Sequence, residues 1–407
     1  MGKEDFLKDI REGLNLMRAA GSEVALVHHN DADGLSSAAI LETAFTRAGF
    51  AVHRICIERV HPPIVARIHD QFAKTIFYVD LGAQAAPVIS DANQGRRTTL
   101  ILDHHHPQPP TDPKVMSIAT ESSGLSGDMD ISASTAAYFL ALELDRANRD
   151  LAYVAVLGAV GDEHDREGGL VKENRDALLD AIEQGQVRTE VNEKGKEVYS
   201  LTRFGDTLPM APLGIAVTTF GGVGYYSDGP DLGIRVCLEG LFPEAKRRLE
   251  ELRRTQQTAY QETTARLKRD GFRETEHIQW FTVGDEFSPM GVKIIGEYCW
   301  DIRNEPFVKT DKYIVGFQNM ATEIPGVGSF DWAQTKASMR LPTPLEHKVL
   351  VDRSMPGLGY LVPEAARQVG GSIDACHDYT AATIVDIGKE EALVTAMEEL
   401  VRAQLSK

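Results

Sequence analysis

The sequence contains no C-x-x-C pair: its four cysteines, Cys56, Cys237, Cys299 and Cys376, are scattered along 407 residues. That spacing excludes a disulfide framework and a cysteine zinc site, and it predicts reduced, buried thiols. No apolar run reaches the ~18 residues that a membrane-spanning helix requires. The opening "MGKEDFLKDIREGL" is charged and lacks the apolar centre of a secretory signal. It also has Phe6 where a myristoylation motif needs Ser or Thr. A cytoplasmic location without membrane association is therefore the expectation. Positive charge is in deficit as well: 43 Lys and Arg stand against 60 Asp and Glu, a formal net charge of −17. This excludes a globally basic coat for nucleic acid. It leaves room for an enzyme that holds a phosphodiester locally, because clustered metal-binding carboxylates themselves raise the acidic count. What remains, 43% hydrophobic and 25% charged residues, is ordinary for a globular chain, and the length suffices for two or three domains.

Residues 4–20 place Phe6, Ile10, Leu14 and Met17 at helical spacing. Strand-like runs follow: "EVALVHH", "AVHRICIE", "TIFYVD" and "TTLILDH". The segment "LSSAAILETAFTRAG" reads as a helix, and further helices are expected at 132–147, 150–160 and 172–184. The alternation predicts a mostly parallel sheet with helices on both faces, whose ligands lie at the carboxyl ends of the strands. From 187 to 240 the pattern loosens. The glycine-rich "TTFGGVGYYSDGPDLG" lacks the strand–turn–helix context of a phosphate loop, so it reads as a loop or hairpin region. "PEAKRRLEELRRTQQTAYQETTARLKRDG" then predicts one long connector helix between Pro243 and Gly271. Lys246, Arg247, Arg248, Arg253, Arg254, Arg266, Lys268 and Arg269 give it a local basic excess, fit for a solvated face or a nucleic-acid track. Strands "HIQWFTVG", "KYIVGFQNMA" and "TKASMRL", with helices at 290–302, 361–369 and 389–405, complete the chain. The expected organisation is α/β: a catalytic domain over 1–187, an irregular insertion and connector helix over 188–271, and a smaller C-terminal α/β substrate-binding domain over 272–407. The active site is expected in the cleft between the two α/β domains.

Acidic and histidine residues gather where strands end. His29, Asp31 and Asp33 follow "VALV", Asp80 follows "TIFYV", Asp103, His104 and His105 close "TTLIL", and Asp162 lies in "GAVGDEHD". A single Asp at such a place is usually a turn or helix-cap residue. Several clusters at one sheet edge would repel one another unless cations neutralise them. The mixed oxygen and imidazole donors suit Mn²⁺, with Mg²⁺, Fe²⁺ or Co²⁺ as alternatives. They exceed the needs of one six-coordinate ion and suit two divalent cations sharing a carboxylate, at the ~3.5–4 Å spacing of two-metal hydrolases. Such chemistry requires no nucleophilic Ser or Cys.

The stretches "HHNDADGLSSAAI", "FYVDLGA", "ILDHHHP" and "GAVGDEHD" resemble, in order, the four motifs of the DHH phosphoesterase family, over residues 24–165. The form H-x-D-x-D-G-L-x-S-A-A resembles the RecJ-like nuclease branch, in its archaeal-type members, more than the pyrophosphatase branch. The resemblance implies that His29, Asp31 and Asp80 hold one ion. It places Asp33, Asp80, His104 and Asp162 on the other, with Asp80 bridging. His105 would face the scissile phosphate as a hydrogen-bond donor or acid, and Asp103 would orient the histidines or ligate weakly. His28, His106, His164 and Asp165 match no motif position and are read as uninvolved neighbours. In the C-terminal part, "TKASMRL" and "ARQVGGSIDACHDYTAATI" resemble the DHH-associated domain. There Arg340, Gly370, Gly371 and His377 are implied to contact substrate, although "SIDAC" replaces the glycines usual before the histidine. The implied activity is two-metal-dependent exonuclease hydrolysis of single-stranded DNA or RNA. The alternatives are an enzyme for short substrates (oligoribonucleotides, linear or cyclic dinucleotides, a nucleotide 3′-phosphate) and a non-catalytic replication scaffold, which the full set of ligand positions disfavours. A dimer is one alternative for the oligomeric state.

Overall fold

The structure is a computed structural model that describes residues 2–72, 74–205 and 207–406. The chain divides into two compact units, Met1–Glu250 with Pro325–Gly328, and Glu251–Ile324 with Ser329–Lys407. The first begins with α1 (Lys3–Ala20), β1 (Glu23–His28), α2 (Ala32–Arg47), β2 (Ala51–Cys56), α3 (Pro62–Gln71), β3 (Thr75–Val79), α4 (Ala86–Asn93), β4 (Thr98–Asp103) and β5 (Val115–Ala119). These five strands form one sheet in the order β2-β1-β3-β4-β5, with every neighbouring pair parallel. β3 is buried along its whole length and β1 from Val24 onward. That explains why their sequences read as continuous apolar runs rather than alternating ones. The fifth strand, "VMSIA", is more polar at its centre and was not among the expected elements. The sheet leads from β1 outward to β2, then returns across to β3 and β4. Right-handed crossovers therefore place α2 on one face and α3 and α4 on the other. The strand order reverses between β1 and β3, which opens a crevice at their carboxyl ends.

The same unit continues with α5 (Ala133–Leu144), α6 (Ala152–Gly161) and α7 (Lys172–Glu183). A small antiparallel sheet follows, β6 (Val187–Val191), β7 (Glu197–Leu201) and β8 (Leu208–Pro209). The glycine-rich stretch 218–233 departs from expectation. It is not a loop or hairpin but lies in α8 (Met210–Gly222), α9 (Gly229–Glu239) and the turn between them. Its glycines allow close packing: a Cβ on Gly221 would lie 1.7 Å from the Asn30 carbonyl oxygen, and one on Gly233 2.8 Å from Leu35. Asn30 Nδ2 donates to the Gly221 carbonyl at 3.0 Å, and the Ala32 N–H donates to Thr218 Oγ1 at 3.2 Å. These helices thus brace the β1–α2 turn from behind.

The unit boundary falls within α10 (Pro243–Asp270), the expected long helix. Beyond it come β9 (Arg273–Glu274), β10 (Ile278–Gly284), α11 (Ile294–Ile302), β11 (Tyr313–Asn319), β12 (Glu323–Ile324), β13 (Gly328–Ser329), β14 (Gln334–Arg340), α12 (Thr343–Leu350), α13 (Leu358–Val369), β15 (Ser372–Cys376), β16 (Thr380–Asp386) and α14 (Glu390–Leu405). The larger sheet runs β15-β16-β14-β11-β10-β9, parallel only between β10 and β11. Trp280, Phe317, Met339, Leu361 and Met397 belong to its core. No helix among the described residues is long and apolar enough to cross a membrane.

Candidate metal centre

The β1–α2 turn delivers the first group of side chains. Asp31 is the N-cap of α2: its Oδ1 accepts the Gly34 N–H at 3.1 Å, satisfying one free donor of the helix start. Its Oδ2 lies 2.9 Å from His29 Nδ1, which is also 3.5 Å from Asp80 Oδ2. Asp80 follows β3 with φ 61°, in the left-handed region that a non-glycine residue occupies only under constraint. Its N–H donates to the Leu102 carbonyl at 3.0 Å, which holds the backbone there. This conformation leaves Asp80 Oδ1 3.4 Å from His104 Nε2, so the two oxygens face imidazoles from two different strand ends. Oδ2 is buried and makes no hydrogen bond among the described residues.

At the end of β4, Asp103 Oδ2 accepts the Ala83 N–H at 2.8 Å, while Oδ1 accepts from the His105 backbone N–H and sits 2.7 Å from His105 Nδ1. His104 Nδ1 lies 2.6 Å from the Gly127 carbonyl, which makes Nδ1 the protonated nitrogen and turns Nε2 toward the carboxylates. Nε2 is 3.7 Å from Oδ2 of Asp162, the residue that ends α6. Asp33, in the first turn of α2, is buried, and its oxygens accept the N–H groups of Ala133 (2.7 Å) and Ser134 (3.0 Å). It therefore lies at the positive end of α5.

The electrostatics describe a cluster short of positive charge. Burial, then the carboxylates of Asp80 and Asp162, push the Asp33 carboxyl up to about 8. Burial opposes a charged His104, but Asp80, Asp162 and Asp33 outweigh it and hold the imidazole well above its usual range. Burial likewise opposes ionisation of Asp103 and Asp162. His105 nevertheless keeps Asp103 well below the usual carboxylate range, and His164 with His104 keeps Asp162 below it. Burial also works against a charged His105, and the Asp103 carboxylate overcomes it, so this ring gains basicity.

Three groups in the first unit bring one potential ligand atom per residue within 4.8 Å of one another: His29, Asp31 and Asp80; Asp80, Asp103, His104 and His105; and His104, Asp162 and His164. Asp80 and His104 join them into one site. Asp33 belongs to none of these groups, and each of its oxygens accepts an N–H from the start of α5. His164 is not the uninvolved neighbour expected: it is buried, with Nε2 3.1 Å from Asp162 Oδ2. Its other ring nitrogen meets Asn174, 2.9 Å away, a residue that no motif or spacing marks. His28, His106 and Asp165 belong to none of these groups. His28 is buried against the His29 carbonyl, and burial drives its ring down to about 3. His106 is exposed against Glu121, and Asp165 pairs with Lys196 at 3.2 Å.

In the second unit, Arg340 is half-buried at the end of β14 and donates to the Met339 carbonyl at 2.8 Å. It is paired in register with Thr380, next to the turn where exposed His377 stacks near Tyr379, ring centroids 6.0 Å apart. Gly370 and Gly371 have local structural tasks. Gly370 ends α13 in the left-handed conformation at φ 72°, and a Cβ on Gly371 would lie 2.7 Å from the Ile384 carbonyl oxygen. The side chains of Asp374 and Ala375, inside "SIDAC", lie outside those described.

Residues 23–160 match the model of the DHH family, N-terminal domain, which supports a DHH-family assignment for this part of the chain. An uncharacterized protein of Methanocaldococcus jannaschii is 26% identical over 145 residues, 34% of this chain and 32% of that protein. The chain thus spans about a third of the length of this curated relative. RecJ from Thermus thermophilus, solved in complex with Mn²⁺, aligns at a TM-score of 0.62 and 14% identity, covering 98% of this chain and 55% of that one. An exonuclease RecJ bound to manganese aligns at a TM-score of 0.59 and 14% identity, covering 99% and 94%. At these identities the likeness is one of fold: the chain is RecJ-like in architecture.

Proposed function

We propose that this chain is a metal-dependent phosphodiesterase that removes nucleotides from single-stranded DNA or RNA. The observation that carries this reading is Asp80: a buried carboxylate, aimed by a left-handed backbone, with one oxygen toward His29 and the other toward His104. The donor set fits a divalent pair, because oxygens and imidazoles without thiolate suit Mn²⁺, with Mg²⁺ or Co²⁺ as alternatives. A buried Asp80 Oδ2 with no hydrogen bond is likewise an atom that a cation satisfies. In this reading His29, Asp31 and Asp80 hold one ion, and Asp80, His104 and Asp162 hold the other, with Asp33 completing the second set. When bound, such a pair neutralises the carboxylates and lowers the pKa of a water beside the phosphorus.

The remaining steps belong to the chain's own side chains. Asp103, anchored by the Ala83 N–H, takes His105 Nδ1 and leaves Nε2 as the atom presented to substrate. The basicity that Asp103 confers strengthens this ring's hold on a proton, which suits it to bond a phosphate oxygen and to protonate the departing alkoxide. Arg340 and His377 are proposed phosphate contacts of the second unit, and the basic residues of α10 favour a strand over a dinucleotide. That one structural neighbour is an exonuclease supports the same choice.

The test is hydrolysis of a labelled panel, from dinucleotides to long single strands, with Mn²⁺, Ca²⁺ or excess chelator. The expected result is a stepwise ladder on long strands with Mn²⁺, little with Ca²⁺, which prefers oxygen-only cages, and none in chelator. Turnover in excess chelator overturns the metal assignment. Cleavage confined to the shortest substrates replaces the exonuclease reading with a short-oligonucleotide phosphodiesterase.

A further inference from the structure

Behind Asp162 stands a chain of buried hydrogen bonds that begins at a backbone amide. The Ser132 N–H donates to Asn174 Oδ1 at 3.0 Å. Asn174 Nδ2 donates to the Met129 carbonyl at 3.3 Å and lies 2.9 Å from His164 Nδ1. His164 Nε2 lies 3.1 Å from Asp162 Oδ2. His164 is 1% exposed and Asn174 0%, so water does not compete for the bonds among Ser132, Asn174 and His164, whereas the Asp162 side chain, 35% exposed, opens toward the site.

The direction of every bond follows from the first. An amide oxygen is the only Asn side-chain atom that can accept the Ser132 N–H, so the NH₂ group must face His164. An NH₂ group only donates, so Nδ1 must offer its lone pair. In a neutral imidazole the proton then resides on Nε2, which donates it to Asp162. We infer that His164, set in this tautomer by Asn174, is a positioning residue that orients the Asp162 carboxylate for the metal centre. It is not a ligand itself: Nδ1 is taken by Asn174 and Nε2 carries the proton. The backbone serves the arrangement, for Glu163 has φ 58°, a reversal that brings His164 back beneath the residue it supports. Ser132 caps α5, and the next two N–H groups of that helix hold Asp33. One helix start therefore orients two carboxylates of the site, Asp33 directly and Asp162 through a relay of two side chains.

This inference rests on the reading of Asp162 as a metal ligand, and the experiment separates the two. Mn²⁺ affinity is measured by electron paramagnetic resonance titration of wild type, His164→Gln and His164→Leu. ¹⁵N NMR of the histidine rings in the metal-free wild type reports the tautomer. The glutamine variant keeps an N–H donor toward Asp162, so its affinity should stay within about threefold of wild type. The leucine variant should bind about 10- to 100-fold more weakly, the usual effect of losing a partner that orients a ligand. The wild-type His164 ring should show the proton on Nε2. If wild type binds no Mn²⁺, the metal reading fails and the inference with it. If wild type binds and His164→Leu binds equally well, the metal reading stands and the positioning role is refuted. An Nδ1-protonated ring, or equal weakening in the glutamine and leucine variants, also refutes it. Should His164→Leu not fold in chelator, judged by circular dichroism, the tautomer and the glutamine variant decide.

Discussion

Stripped of divalent ions, the N-terminal unit should become less stable as pH rises from about 7 to about 8.5. Two groups drive this. Asp33, buried and facing Asp80 and Asp162, has its carboxyl pushed up to about 8, against about 4 in an unfolded chain. His104 is opposed by burial, yet the surrounding carboxylates raise it well above the ~6.5 of a free imidazole. Both folded-state values lie above the unfolded ones, so the folded protein holds an extra proton on each group. The stability from Asp33 is fully present below about 4 and is lost as pH rises through about 8. That from His104 is fully present below ~6.5 and is lost as pH climbs toward its raised value. The opposing groups contribute little in this window. His28 and His69, driven down to about 3 and about 4 by burial, are neutral in the folded state and mostly neutral in the unfolded one, and Asp103 and Asp162 titrate far lower. One extra bound proton costs ~1.4 kcal/mol for each tenfold fall in proton concentration, so Asp33 alone loses on the order of 1 kcal/mol across the window, and His104 adds to that loss. For a unit of this size each kcal/mol moves Tm by ~2–4 °C, so the expected fall is at least roughly 2–4 °C. Metal binding must displace the same protons, so Mn²⁺ should bind more tightly and raise Tm further at the upper pH. Scanning fluorimetry at both ends of the window, in chelator and in Mn²⁺, measures each effect. A chelator Tm that stays flat or rises, or a Mn²⁺ gain that shrinks with pH, would refute the reasoning.

The remaining expectations concern single substitutions. Asp80→Ala and Asp162→Ala should abolish hydrolysis while circular dichroism is unchanged; near-wild-type turnover in either would show the site to be misassigned. Because asparagine tolerates the left-handed φ of 61°, Asp80→Asn should be about 1 kcal/mol more stable in chelator than Asp80→Ala, measured by urea unfolding. Gly158→Ala would put a Cβ 2.2 Å from Ser134 Oγ and 2.6 Å from Asp33 Oδ1, so a loss of ~1–3 kcal/mol and weaker Mn²⁺ binding are expected from melting and titration. Arg340→Ala and His377→Ala should raise KM by roughly 10- to 150-fold with kcat little changed, most on short substrates, if each contact is equal in ground and transition states. Unchanged kinetics on both short and long strands would remove these two residues from the substrate path.

The sequence by itself determined the parallel sheet and the edge where chemistry gathers. Apolar strand runs such as "TIFYV" and "TTLIL" end abruptly in Asp80 and in Asp103-His104-His105, and a strand end is a local event that hydrophobic period and composition record. The long helix from Pro243 was legible for the same reason, with proline and glycine marking its limits. Only the tertiary structure decided the rest, because each remaining feature depends on partners distant in the chain. The glycines of α8 and α9 look like turn residues until Asn30 and Leu35 are seen packed against them. Nothing near Asp33 in the sequence shows that the N-terminus of α5, 100 residues on, orients both its oxygens. His164 matched no pattern, and Asn174 carried no signal at all. Their task is set by the Ser132 amide, and a hydrogen bond's direction is fixed by which atoms folding brings within reach rather than by any spacing along the chain.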